Sequence, residues 1–287
     1  MKQKNQKDDF IMSPKIDFAF KLLFGDKKNK DLLIAFLSAI LKMPKGNLKG
    51  LKLINGELFK EYPEDKKGIL DVRVETNDNK QIDIEIQINP VAYMDKRTMY
   101  YWSKMYSSQV KSGDTLGQLN KCITINIVDF KCTDIKKLHS VYHITEDETH
   151  CKLTDILEIH FLELKKLNDK HIIIDENDPV VLWMRFLDAE NLGVMNMLGK
   201  KNKDIQKALR MLEVMSKDEK ARMEYEAREA ALMDERTRIK SAKEEGIEKG
   251  IEKGKIAIAK NSLKLGFSIS DISKITGLSE EEVKSLM

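Results

Sequence analysis

Asp71 and Glu85 are the two side chains whose type and spacing invite chemistry, and both lie in the stretch Lys67 to Asn89, KGILDVRVETNDNKQIDIEIQIN. Asp71 interrupts a run of strand formers, Leu70, Val72 and Val74, where a carboxylate has no packing value and is costly if buried alone. Glu85 falls in a strictly alternating run: Ile82, Ile84, Ile86 and Ile88 point one way, Gln81, Asp83, Glu85 and Gln87 the other. Thr76, Asn77, Asp78 and Asn79 supply the turn, so the stretch reads as a β-hairpin with one core face and one acidic face. Antiparallel pairing brings Asp71 and Glu85 to neighbouring positions of one face, where like charges repel unless something positive lies between them. Mg²⁺ suits such a pair, because it binds through one or two carboxylates and keeps several waters. A plain solvated polar face is the competing reading.

The elements around the hairpin must hold it. Asp17 to Phe24 and Asp31 to Leu41 carry helical apolar spacing, with Leu32, Leu33, Phe36, Leu37, Ile40 and Leu41 as core and Pro44 as the stop. Asp17 and Lys21 lie four apart, as a surface pair would. Leu48 to Phe59 reads as a first strand that leads to the hairpin through Pro63. After Pro90, Ala92 to Ser112 reads as a long helix bearing Arg97, Tyr100, Tyr101, Trp102, Lys104, Tyr106 and Lys111. Cations interleaved with aromatics can border a nucleic-acid groove, although Tyr101 and Met105 at helical spacing belong to packing. Arg97, on the helix that follows Glu85, can reach back to a phosphate with its bidentate fork. CITINIVDF, Cys122 to Phe130, is a buried strand, so a strand, helix, strand crossover predicts a mixed sheet completed by Leu138 to Thr145 and Ile156 to Leu162. His139, His143, His150 and His160 have no supporting acidic motif and are assigned no zinc site.

The chain resembles the PD-(D/E)XK nuclease core in its order of Asp71, turn, then Glu85-Ile86-Gln87. More narrowly it resembles the Rpn family, the recombination-promoting nucleases also described as PD-(D/E)XK nuclease family transposases. The segments that carry the likeness are Asp17 to Gly25 (DFAFKLLFG), Leu70-Asp71-Val72, Glu85-Ile86-Gln87, Arg97 followed by Tyr100-Tyr101, and Gly266 to Leu278. It implies an α/β fold, a restriction-endonuclease-like mixed sheet flanked by helices, with a helical C-terminal extension. It also implies a DNA endonuclease in which Asp71, Glu85 and the Ile86 carbonyl hold Mg²⁺ or Mn²⁺. Lys21 then becomes a phosphate contact beside Arg97, and Gln87 stands where the superfamily usually has lysine. Glutamine there is typical of the narrower family; it can position a water but takes no proton, and the usual proline before Asp71 is missing. The alternatives are an inactive nucleic-acid-binding or assembly protein on the same scaffold, or a regulator acting through its tail. Horizontal gene transfer, recombination and mobile elements are the implied setting.

Length and composition bound the rest. The 287 residues suffice for one large domain or two smaller ones, and 50 basic against 47 acidic residues leave a net charge of +3, too little to imply DNA without local clustering. No apolar run reaches bilayer length and the lysine-rich start lacks the apolar core of a signal peptide, so no membrane partner and a cytoplasmic location are expected. Cys122, Cys132 and Cys151 read as reduced thiols. Three parts are expected: a nuclease-like domain over 13–190, a charged helical arm over 191–255 and a small helical unit over 256–287. In the arm, helices run over Val180 to Leu187 (at its approach), Ile205 to Met215 and Asp218 to Ile239. The repeat EGIEKGIEKGKI follows, lining up Gly246, Gly250 and Gly254 for self-association as a homo-oligomer, or for a linker. In the last unit, Ile256 to Leu265 ends at Gly266, Ser270 caps a short helix, and Ser279 with Glu282 forms a capping box. The outline is that of a helix-turn-helix, but Glu280, Glu281 and Glu282 at the reading end would repel phosphates.

Overall fold

The computed structural model describes residues 10–54 and 71–287. Its elements in chain order are α1 (Asp17–Phe24), α2 (Lys30–Ile40), β1 (Lys52–Ile54), β2 (Val72–Glu75), β3 (Gln81–Gln87), α3 (Met94–Ser107), β4 (Cys122–Val128), β5 (His139–Tyr142), β6 (Leu157–Glu163), α4 (Pro179–Leu187), α5 (Leu192–Lys201), α6 (Lys203–Lys217), α7 (Glu219–Lys264), α8 (Ile269–Thr276) and α9 (Glu280–Ser285). Among the described residues the strands form one mixed sheet in the order β1-β2-β3-β4-β6-β5. The expected parts at Ile69, Leu70, Pro63 and the end of the first strand lie outside the described residues; of that strand, Lys52–Ile54 is seen.

β2 and β3 form the expected antiparallel hairpin. Its turn is locked locally: the Thr76 N–H donates to the Lys80 carbonyl at 2.9 Å, the Asn79 N–H to the Thr76 carbonyl at 3.0 Å, and Asn79 takes φ 59°, a conformation asparagine tolerates. Gly50 runs so close beneath that a Cβ there would stand 1.8 Å from the Asn77 side-chain amide, so a larger residue would have to turn that exposed side chain aside. β3 then crosses through α3 to β4, which lies parallel to it, and β6 lies parallel on the far side of β4. This is the crossover that the apolar pattern predicts.

The two faces of the sheet are covered by different helices. Rings from α1, α2 and α4 stack into one core: Phe20 and Phe24 at 4.8 Å between centroids, Phe24 and Phe36 at 4.8 Å, Phe36 and Trp183 at 5.5 Å. The second core lies under α3, where Trp102 and Met105 pack with Cys122, Val128, Leu157, Ile159 and Phe161, and the Trp102 indole N–H donates to the Cys122 carbonyl at 3.0 Å. Met105 is core as expected; Tyr101 is only half-buried.

The chain divides into two compact units, residues 1–230 and 231–287. In the first, the start of α7 is sewn to the start of the described chain. Tyr225 Oη accepts from the Ser13 N–H at 3.1 Å, and the Arg228 guanidinium meets both Asp17 oxygens at 2.8 and 2.9 Å. The second unit has its own small core of Ala259, Ile272 and Val283. Its capping box at Ser279 and Glu282 is formed, but the cap of α8 is Ser268 rather than Ser270, since the helix begins two residues earlier than that cap requires. The two helices expected over 218–239 and 256–265 are one, because Gly246, Gly250 and Gly254 lower helix propensity without breaking the hydrogen-bond ladder.

Candidate active site

Register arithmetic sets the site. Val72 pairs with Ile84 and Arg73 with Asp83, so Asp71, just before β2, comes level with Glu85. The two acids clip onto each other's backbone: the Asp71 N–H donates to Glu85 Oε1 at 3.1 Å, and the Ile86 N–H donates to Asp71 Oδ2 at 3.0 Å. Each remaining oxygen faces a cation. Lys21 Nζ, from α1, stands 2.8 Å from Asp71 Oδ1, and Arg97 Nη2, from α3, stands 3.5 Å from Glu85 Oε2. The Arg97 guanidinium lies over the Tyr101 ring at 4.7 Å, which fixes its plane. Lys21 therefore does not pair with Asp17, whose partner is Arg228.

The acidic face of β3 is not a solvated one. Parallel pairing places Asp83 beside Thr124 and Glu85 beside Asn126, all on the face that α3 covers, and Thr98 of α3 donates its hydroxyl to Asn126 Oδ1 at 2.9 Å. Glu85 is 6% exposed and Asp83 1%. Burial, and then the charge of Asp71, pushes the Glu85 carboxyl up to about 7. Asp83 is pushed well above the carboxylate range by burial first and by Glu85 and Asp71 next, and neither of its oxygens has a hydrogen-bond partner. Arg73 lies across from it on β2, but the guanidinium donates to Gln81 Oε1 at 2.6 Å instead. In the sequence Asp83 is one polar residue of an alternating strand. The signal that would have singled it out is its position two residues before Glu85 on the same covered face.

Three carboxylates under low-dielectric cover, two of them interlocked and one with orphaned oxygens, make a donor set that fits a hard divalent cation. The structure thus brings Lys21, Asp71, Glu85, the Ile86 backbone and Arg97 together. Gln87 follows on the same strand face, yet its side-chain amide donates to the Asn89 carbonyl at 3.2 Å.

A second convergence, His143 with Asp155 and Glu158, has ligand atoms within 4.8 Å of one another. Its carboxylates are already engaged: Lys121 Nζ stands 2.9 Å from Asp155 and 2.7 Å from Glu158, and His160 Nε2 stands 2.7 Å from Glu158. Among the described residues no helix is long and apolar enough to cross a membrane.

A family model described as PD-(D/E)XK nuclease family transposase matches residues 14–242, a span that takes in the whole sheet and every residue of the Asp71 and Glu85 constellation. Neither the curated proteins nor the solved structures contain a significant match.

Proposed function

The chain belongs to the PD-(D/E)XK nuclease family transposases, and from that premise we propose that it is a metal-dependent DNA endonuclease serving recombination or mobile-element movement. The observation that carries the reading is the reciprocal clip of Asp71 and Glu85, which spends two backbone N–H groups to hold two like charges side by side. Asp71, Glu85 and, by likeness to the superfamily, the Ile86 carbonyl would hold Mg²⁺ or Mn²⁺. Bound there, a divalent ion supplies charge to the phosphate and lowers the pKa of a water.

The chain's own groups do the rest. Arg97, its plane set by Tyr101, presents a fork to phosphate oxygens, and Lys21 offers a point charge from the other side. Gln87 orients a water through its amide and accepts no proton. The cover of α3 over Glu85 keeps bulk water away and strengthens each of these interactions. Gln87 in the usual lysine position also favours the second reading, a nucleic-acid-binding protein without catalysis on the same scaffold.

Supercoiled plasmid incubated with Mg²⁺ or Mn²⁺, against chelator, separates the two. Wild type converts it to nicked or linear form only with metal, and Asp71→Ala and Glu85→Ala leave it supercoiled while circular dichroism shows the fold retained. Cutting by either variant, or by wild type in chelator, sinks the assignment.

We read the chain's working parts as the nuclease-like body over 13–190, the charged arm over 191–255 and the small unit over 256–287. Cytoplasmic DNA is the expected substrate. In the arm, an added Cβ at Gly246, Gly250 or Gly254 would meet nothing within 4 Å among the described residues, so no close approach there offsets the about 1 kcal/mol that each costs a helix. Homo-oligomerisation along that row explains them, and sedimentation of a triple Gly→Ala variant tests it.

A further inference from the structure

We propose that Tyr93, Lys96 and Tyr100 form a base-stacking platform for an unpaired nucleotide beside the scissile phosphate, which makes the substrate class DNA with a single-stranded segment. The proposal rests on the nuclease reading and adds a substrate class to it.

Tyr93 is held at a conformational cost. It sits at the N-cap of α3 with φ 59° and ψ 44°, the left-handed region that a bulky side chain pays to enter, and its side chain makes no capping bond. Asparagine or glycine would serve the backbone better at that position. The ring is 70% exposed, an aromatic face open to solvent. Lys96 Nζ lies 4.8 Å from its centroid. Tyr100, one turn on, is exposed as well and stands edge-on to Tyr101 at 5.6 Å.

These residues share the first turns of α3 with Arg97 of the catalytic constellation. The Tyr93 carbonyl accepts from the Arg97 N–H at 2.9 Å, and Arg97 lies on Tyr101 and faces Glu85. A phosphate drawn to Arg97 therefore leaves its adjoining nucleotide within about one helical turn of the platform. Exposed π faces beside an ammonium suit nucleic acid, because any base stacks on an aromatic ring while the cation meets the backbone. Bases of a duplex are already paired and stacked, so only an unpaired nucleotide gains.

The test is fluorescence anisotropy of labelled oligothymidine, about 15 nucleotides long, with the full chain in chelator so that no cutting intervenes. Tyr93→Ala weakens binding about 5- to 150-fold, the range of one lost base stack. Tyr93→Trp retains it, and affinity for a blunt duplex of equal length stays within about twofold for both. Oligothymidine binding that is absent in wild type, unchanged in Tyr93→Ala, or lost in step with duplex binding overturns the platform. Because the readout is binding, a wild type that cuts no plasmid yet shows the Tyr93-dependent preference removes the nuclease reading and leaves the platform. Metal-dependent cutting without that preference does the reverse.

Discussion

Glu85 and Glu158 flank the same strand, β4, on opposite faces of one sheet, and their surroundings drive them in opposite directions. Glu158 is met by Lys121 and His160, each at 2.7 Å, and despite burial these partners hold its carboxyl down at about 2. Glu85 is covered more deeply, has Asp71 and Asp83 as neighbours and only a loose Arg97 at 3.5 Å, and its carboxyl is raised to about 7. Both spots gather acids and bases. Charge balance tells them apart: one cluster is complete within the chain, whereas the other is short of positive charge. A protein stabilises itself with the first arrangement and keeps the second at a cost to stability.

The largest expected effect is a split between two isosteric changes. Glu85→Gln abolishes plasmid cutting and raises the melting temperature at pH 8. A carboxyl whose folded pKa exceeds its unfolded value loses stability as pH rises from 4.5 through about 7, so the gain disappears towards pH 5. Glu158→Gln leaves cutting intact and costs about 1–3 kcal/mol, read as a drop of roughly 2–4 °C for each kcal/mol. Equal effects of the two changes on melting at pH 8 would erase the contrast.

Lys121→Met sharpens it. Stripping the cation leaves the largely covered Glu158 carboxylate beside the exposed Asp155, so stability falls by about 1–3 kcal/mol at pH 7 and recovers in part on acidification. Lys21→Met removes the equivalent cation from Asp71, whose Nζ is 41% exposed with its side chain. It changes melting little, within about 0.5 kcal/mol, and lowers cutting roughly tenfold through phosphate binding.

The smallest effect is at His139, stacked on His160 with Nε2 2.8 Å from Nδ1. Burial, then His160, lowers it to about 4 from an ordinary 6.5. Between those values only the unfolded chain takes the proton, so stability declines as pH falls from 6.5 towards 4. His139→Asn flattens that part of the curve in urea titrations, and an unchanged slope would show that His139 is not its source.

Much of this was legible in the chain. Alternation at Ile82 to Ile88 and the turn at Thr76 to Asn79 suffice to put Asp71 level with Glu85, and the buried run at Cys122 makes the crossover, because strand period and turn chemistry are local. The mixed sheet flanked by helices follows from the same signals. Burial of the acidic face was not legible, since only the docking of α3 decides whether Asp83 meets water. Nor was the partner of Asp17, because Arg228 is 211 positions away and an ion pair leaves no periodic trace. That the helices expected over 218–239 and 256–265 run on as one was not legible for a related reason: propensity is a per-residue cost that a long ladder of hydrogen bonds absorbs.

The clasp between Arg228 and Asp17 makes the body that carries the candidate site less modular than its sheet suggests. Lys21 rides one turn behind Asp17 on the same short helix, so the aim of that ammonium depends on a residue encoded well beyond the last strand. A truncation that kept every strand and stopped at Lys217 would inherit the acids intact and lose the brace that trains a cation on them. The smallest piece that keeps this arrangement of side chains is therefore set by a salt link, and extends to Arg228.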